Sequence, residues 1–131
     1  MEYLVRDIEE FASRLKEVNS KKAEGNESGL HRIRGSVDLT FEDPEKKDSG
    51  ILKMVGCYSY VKKSLFGKKV RYFDVTMKFE RTKSGVYRLN VSDLQTYRMD
   101  KGTIRLVDEK APEELFNLID EDLLEAGAKR A

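Results

Sequence analysis

Hydrophobic and polar residues alternate through the middle of the chain and follow helical spacing on either side of it. In residues 2–19, apolar residues recur every three or four positions, which predicts an amphipathic helix. That apolar stripe consists of Leu4, Ile8, Phe11, Leu15 and Val18. Residues 112–126 repeat the pattern and predict a second helix, whose acidic residues 120–122 and 125 we assign to its solvated face.

Five segments between these helices have the pattern of β-strands. They cover approximately residues 31–42, 51–62, 69–81, 86–98 and 103–107. Because the links between them are short, we expect an antiparallel meander. The predicted fold class is α+β: a four- to five-stranded antiparallel meander sheet with the N- and C-terminal helices packed on one face. We expect residues 1–131 to form a single domain.

The strand at 51–62 is apolar on both faces, which is typical of a strand covered on both sides. Leu52, Met54 and Tyr58 are assigned to the core face. The outward apolar residues of this strand and the next predict an interface: Val55, Cys57, Val61, Val70 and Tyr72. A second copy of the chain is the simplest cover, so we expect a homodimer. The alternative is a terminal segment folded over these residues.

The turn at residues 64–67 predicts how the second and third strands pair. In this register Tyr58 lies near Phe73, Met54 near Met77 and Leu52 near Phe79, so that apolar side chains meet. In the fourth strand the alternation falters near Ser92 and Asp93, which predicts a bulge or the end of the strand.

Two glycines are predicted to meet on the core face of the sheet. If the first strand shares that face, Gly35 falls close to Gly56. We favour a bend or bulge that curves the sheet, since this is the commoner use of strand glycine. The alternative is a ligand pocket near Gly35, Gly56 and Tyr58.

The hairpin at residues 62–71 carries the one local excess of positive charge. Its candidate anion- or nucleic-acid-binding residues are Lys62, Lys63, Phe66, Lys68, Lys69 and Arg71. Lysines near phosphates gain from counterion release, and an aromatic ring can stack on a base. The same arrangement suits an anionic membrane surface. The alternative is a solubilising turn whose lysines oppose aggregation at the sheet edge.

Composition restricts the remaining chemistry. Lys and Arg (25) nearly cancel Asp and Glu (24), so the net charge does not indicate a polyanionic partner. The single cysteine, Cys57, excludes an internal disulfide and a multi-cysteine zinc site, and His31 is the only histidine. We predict no cofactor, no metal site and no catalytic residue. The first residues lack the pattern of a signal peptide and no segment is apolar enough to span a membrane, so we expect a cytoplasmic location.

Three functional hypotheses follow. The first is a non-enzymatic binding or adaptor protein that self-associates through the sheet. The second is a nucleic-acid-binding module that uses the basic hairpin. The third is a small-molecule-binding or enzymatic cone-shaped fold with its pocket near Gly35 and Gly56; its enzymatic form is the least favoured, because the expected lining offers no clear acid or base.

Overall fold

The computed structural model describes residues 1–25 and 28–131. These residues form an antiparallel sheet of eight strands and two helices. The strands are β1 (Glu2–Val5), β2 (Gly29–Arg32), β3 (Ser36–Phe41), β4 (Ser49–Ser64), β5 (Gly67–Arg81), β6 (Tyr87–Asp100), β7 (Thr103–Leu106) and β8 (Lys129–Arg130), and the helices are α1 (Ile8–Lys22) and α2 (Glu114–Glu125). The α+β class and the antiparallel sheet are confirmed. The predicted count of four to five strands is wrong.

The long strands β4, β5 and β6 form the centre of the sheet. On one side, β2 and β3 pair in succession along the same edge of β4. On the other side, β1 and β7 pair with opposite ends of β6, and β8 pairs with β1. The central meander is the predicted one, whereas the additional strands all lie at its edges.

The first predicted helix is a strand followed by a helix. Tyr3 and Val5 are buried and alternate with the more exposed Glu2 and Leu4, and this segment pairs with β6. Asp7 ends the extended segment, because its carboxylate accepts a hydrogen bond from the N–H of Glu10 at 3.1 Å and so caps α1. Leu4 fits the helical spacing by coincidence, so the predicted helix begins at residue 2 whereas α1 begins at Ile8.

Both helices contribute to one hydrophobic core on the same face of the sheet. Phe11 and Leu15 of α1 and Leu115, Ile119 and Leu123 of α2 are buried in one cluster with the inward side chains of β4, β5 and β6. We call the opposite side of the sheet the outer face. The predicted packing of the helices therefore holds, although both are shorter than expected.

The sheet curls where two strands are interrupted at the same level. The predicted strand at 31–42 breaks into β2 and β3, and the Asn19 side chain bridges the break. Its amide nitrogen donates to the carbonyl oxygen of Ile33 at 2.9 Å, and its oxygen accepts from the N–H of Gly35 at 3.0 Å. Beside the break, β4 bulges between Met54 and Tyr58. The bulge predicted at the two glycines is confirmed.

The bulge in β4 shifts its pairing with β5 by two residues. Tyr58 pairs with Phe73 as predicted, but Met54 pairs with Val75 rather than with Met77. Leu52 likewise pairs with Met77 rather than with Phe79. Two extra residues in β4 cause this shift, and because the number is even, they leave the side chains on their predicted faces.

The bulge predicted near Ser92 is also confirmed. Thr76 pairs with Asp93 and Met77 with Val91, so that Ser92 is the extra residue. An insertion of one residue moves each side chain of the following segment to the opposite face of the sheet from the one that simple alternation predicts. Tyr97 and Met99 therefore lie on the outer face, although Leu89 and Val91 before the bulge lie on the core side.

A buried ion pair attaches α2 to the sheet. Asp122 is completely buried and accepts from Nε of Arg32 in β2 and from the hydroxyl of Tyr58 in β4. The assignment of Asp122 to the solvated face of the helix is therefore wrong. It lies on the same stripe as Leu115 and Ile119, and this helical spacing could have indicated its burial.

Candidate functional site

Residues 62–69 form an arm that projects beyond the rest of the sheet. Within the arm, pairing continues to Ser64 opposite Gly67. β2 pairs with β4 only as far as Val61, and β6 pairs with β5 only as far as Tyr72. In the described part of the chain, the arm thus has no paired strand on either side, and it forms a two-stranded projection.

The arm places its lysines directly opposite one another. Lys62 pairs with Lys69 on the core-face side, and Lys63 pairs with Lys68 on the outer-face side. Opposed like charges in a ladder are unfavourable. Lys69 is relieved by Glu109, whose carboxylate lies 3.3 Å from its ammonium group. Within the described residues, the ion pairs do not include the other three lysines.

Arg71 lies at the base of the arm and differs from the lysines. Its Nε and Nη2 atoms each donate to the carboxylate of Glu109 at 3.0 Å. These hydrogen bonds hold the pKa of Glu109 below its ordinary value. The structure therefore gives Arg71 an internal partner, and Lys62, Lys63 and Lys68 are the cations of the hairpin that form no ion pair within the described residues.

Two large apolar side chains form the tip of the arm. Leu65 is 100% exposed and Phe66 is 99% exposed. The flanking residues make the turn: Ser64 Oγ accepts from the N–H of Phe66 at 3.3 Å and donates to the carbonyl oxygen of Gly67 at 3.2 Å. Gly67 has a φ of 122°, which favours glycine. Of the predicted anion-binding residues, Phe66 and the four lysines thus converge at the end of the arm.

A second candidate surface lies on the outer face, next to the base of the arm. We call it the outer patch, and it consists of Val61, Val70, Tyr72, Tyr97, Met99, Ile104 and Leu106. Cross-strand pairing joins these residues: Val61 lies opposite Val70, Tyr72 opposite Tyr97, Tyr97 opposite Leu106 and Met99 opposite Ile104. The Tyr72 and Tyr97 rings stack with their centroids 5.5 Å apart. The run of apolar residues is therefore continuous across four strands, although Val61 and Tyr97 within it are buried.

The exposed part of the outer patch was not predicted. Ile104 and Leu106 are 60% and 68% exposed, and Met99 is 46% exposed. The alternation of Ile104 and Leu106 in β7 was a usable signal. Placing Tyr97 and Met99 beside them required the change of face at Ser92, and the sequence pattern alone did not supply that register.

Two of the predicted interface residues lie apart from the outer patch. Cys57 was assigned to the outer face, but it is completely buried in the hydrophobic core. The β4 bulge turns it inward, and its thiol lies 3.5 Å from the carbonyl oxygen of Ser36. Val55 is half-buried beside the bulge. Val61, Val70 and Tyr72 are the predicted interface residues that the structure brings together.

The predicted pocket residues lie in close contact. A Cβ atom on Gly35 would come within 2.5 Å of the carbonyl carbon and oxygen of Gly56, so the two backbones leave no room for a side chain between them. Tyr58 is fully buried against Asp122. A groove of about 740 Å³ lies elsewhere on the sheet, around Ile51 and Lys78. A pocket at the two glycines remains a prediction.

The remaining candidates have structural partners. His31 is buried in β2, with Nδ1 3.1 Å from the carbonyl oxygen of Gly29. Burial raises the pKa of the Cys57 thiol to about 12, and the nearby Asp74 adds to this effect.

Among residues 1–25 and 28–131, no three His, Cys, Asp or Glu side chains come together in a group suited to a metal. Within those ranges, neither helix is long and apolar enough to cross a bilayer.

Comparison of the chain with protein-family models, curated protein sequences and solved structures gave no match. The candidate surfaces that the structure itself offers are the arm with its apolar tip and the outer patch.

Proposed function

We propose that this is a non-enzymatic binding protein that self-associates through the outer patch. The observation that carries the proposal is the run of apolar residues across β4, β5, β6 and β7, whose β6–β7 end is open: Met99, Ile104 and Leu106 are 46%, 60% and 68% exposed, whereas Val61 and Tyr97 are buried. Contiguous exposed apolar surface is typical of an interaction site, whereas singly exposed apolar residues are common and need no partner.

A second copy of the chain suits this surface. An isologous dimer needs a patch that is complementary to itself, and an apolar patch without charged members satisfies this condition. The chain carries a formal net charge of only +1, so two copies approach without strong long-range repulsion. Aromatic residues are favoured at the centre of interfaces, and the half-buried Tyr72 ring, stacked on the buried Tyr97, lies in the middle of the patch.

The positions of the other elements support an interface between molecules. A terminal segment folded over the outer face was the alternative explanation. In the structure, β1 and β8 extend the sheet at its far edge, and both helices pack on the core face. In the described part of the chain, the exposed end of the patch therefore keeps its access to solvent.

Sedimentation velocity at increasing protein concentration tests this proposal. We expect the native chain to shift from monomer to dimer, and the double variant Ile104→Asp/Leu106→Asp to remain monomeric. Ile51→Asp is the matched control, because Ile51 is an outer-face residue, 43% exposed, that lies outside the patch. It should leave the dimer intact.

A native chain that stays monomeric at all concentrations would reject the proposal. Equal loss of the dimer in the Ile51→Asp control would also contradict it, since the outer patch would then have no special role. Circular dichroism of each variant establishes that the fold is retained.

A further inference from the structure

The tip of the arm contributes little to the fold of its own chain. Leu65 and Phe66 bury almost no surface, and Ser64 and Gly67 supply the turn hydrogen bonds and the positive φ. A turn of this kind accepts small polar residues at its two central positions. Two large apolar side chains at the most exposed point therefore indicate a partner outside the chain.

The lysines behind the tip indicate that the partner is negatively charged. The opposed pairs Lys62–Lys69 and Lys63–Lys68 place positive charge on both sides of the arm, immediately behind the apolar residues. Glu109 lies near only one of the four, at Lys69. An array of anionic groups at the level of these lysines would relieve their repulsion.

The distance between the apolar tip and the lysines behind it identifies the surface that meets both requirements. Residues in a strand rise by about 3.3 Å each, so Lys63 and Lys68, two positions behind the tip, lie roughly 7 Å further back. The apolar face of an interfacial amphipathic helix is buried about 5–10 Å into the headgroup and acyl boundary, and we use this depth for the apolar tip. The apolar tip would then lie below the lipid phosphates while the ammonium groups lie beside them.

We propose that the arm binds the surface of an anionic lipid bilayer. Leu65 and Phe66 enter the interface, and Lys62, Lys63, Lys68 and Lys69 contact the headgroup phosphates. The lysine stems are long enough to follow the apolar surface while their charged ends remain hydrated. This contact is peripheral and uses a different surface from the outer patch.

Nucleic acid fits the same arm less well. A base can stack on Phe66, but Leu65 offers no ring and is equally exposed. The lysines lie behind the apolar tip, so a phosphate backbone in contact with them would leave Leu65 in water. The basic arginine of the hairpin is also directed to Glu109. A purely solubilising turn is disfavoured for a related reason, since two exposed apolar residues lower solubility.

A tryptophan at the tip tests insertion directly. The chain contains no tryptophan, so Phe66→Trp introduces a single fluorescent reporter at the tip. With vesicles of phosphatidylcholine and phosphatidylglycerol, we expect a blue shift of its emission and quenching by lipids brominated in their acyl chains. Vesicles of phosphatidylcholine alone should bind at least tenfold more weakly, because they lack net negative charge.

Matched variants separate the apolar and charged parts of the site in a vesicle co-sedimentation assay. Leu65→Ser/Phe66→Ser should weaken partitioning at least tenfold. Lys63→Gln/Lys68→Gln should weaken it by about fivefold per lysine, and raised salt should reduce the difference from the native chain. The control is Lys83→Gln/Lys101→Gln, which removes two exposed lysines from other turns and should change partitioning less than twofold.

Three results would overturn the proposal. The first is unshifted Phe66→Trp emission together with no sedimentation on anionic vesicles. The second is binding that depends on the lysines but is unchanged in Leu65→Ser/Phe66→Ser, since the tip would then not insert. The third is salt-sensitive binding of a single-stranded oligonucleotide without vesicle binding, which would assign the arm to nucleic acid. The Ile104→Asp/Leu106→Asp variant should still bind vesicles, which distinguishes this site from the outer patch.

Discussion

Arg32 in β2 donates from Nε to both carboxylate oxygens of Asp122 in α2, at 3.0 Å each, although the two residues are 90 positions apart. Asp122 is completely buried, and the Arg32 side chain is only 12% exposed. Asp122→Asn should therefore lower the free energy of unfolding by about 3 kcal/mol, because it leaves the mostly buried guanidinium group with only the exposed Glu121 carboxylate as a counter-charge. Urea denaturation measures this change.

Glu121→Gln provides the comparison for that prediction. Glu121 also contacts Arg32, at 2.9 Å, but its side chain is 59% exposed. Its loss should cost less than about 1 kcal/mol, as is usual for an exposed ion pair. Equal effects of the two substitutions would contradict the assignment of Asp122 as the buried anchor of α2.

Gly35 and Gly56 should respond differently to alanine. A Cβ at Gly35 would collide with backbone atoms of Val55 and Gly56, so Gly35→Ala has to separate two strands and should cost about 3 kcal/mol. Gly56 has a φ of 63°, but a Cβ added there would meet only the Tyr97 hydroxyl among the described residues, at 3.5 Å, so Gly56→Ala should cost about 1–2 kcal/mol. Thermal and urea unfolding give both values.

The control for the glycine pair is Gly25→Ala. Among the described residues, nothing lies within 4 Å of a Cβ added there, and a change within about 0.5 kcal/mol is expected. If Gly35→Ala were as mild as this control, the strands would be able to yield, and the close contact would not fix the curl of the sheet.

Alkaline pH should reveal the environment of Tyr97. Burial and the neighbouring Asp74 carboxylate raise the pKa of Tyr97 from 10.0 to about 12. The folded chain thus holds this proton more tightly than the unfolded chain does. The resulting stabilisation is fully present below pH 10 and is lost as the pH rises towards about 12.

Tyr97→Phe should reduce this alkaline loss of stability, as measured by urea unfolding at a series of pH values. The absorbance of tyrosinate gives an independent titration of the native protein. An unchanged pH dependence in Tyr97→Phe would show that Tyr97 does not contribute. The buried Tyr58 also has a raised pKa, chiefly from burial, so part of the loss should remain in the variant.

Cys57 should be inert in the folded protein. Because burial raises the pKa of its thiol to about 12, little thiolate forms near pH 8.5, and a reagent can reach the sulfur only after local opening. We expect reaction with a chromogenic disulfide to be slow in buffer and rapid in denaturant. Cys57→Ser/Leu65→Cys, which moves the only thiol to the exposed tip, should react rapidly without denaturant; rapid labelling of native Cys57 would contradict its burial.

The central meander was predictable because each strand has its own period-two pattern and is joined to the next by a short turn. The interrupted alternation of apolar and polar residues also located the bulge at Ser92, since a bulge disrupts this alternation locally. The edge strands were harder to predict from the sequence, because their pairing depends on distant partners. Tyr3 pairs with Leu89, and no local pattern in the first residues indicates that pairing.

The candidate surfaces were predicted in part for the same reason. The charges of the arm are contiguous in the sequence, so Lys62, Lys63, Lys68 and Lys69 were found directly. The outer patch combines β4, β5, β6 and β7, and its membership depends on one inserted residue at Ser92 and two near Gly56. Cys57 was misplaced because alternation cannot show the path of the backbone through a bulge of this kind.

The position of β1 has a consequence for the order in which the chain assembles during translation. β1 is synthesised before its partner strands β6 and β8, which lie far downstream of it in the sequence. The β4–β5 and β5–β6 hairpins, by contrast, can form as soon as each leaves the ribosome, since their contacts are local. We expect the growing chain to hold Tyr3 and Val5 exposed until β6 emerges, so that β1 is made before β6 but is incorporated into the sheet late.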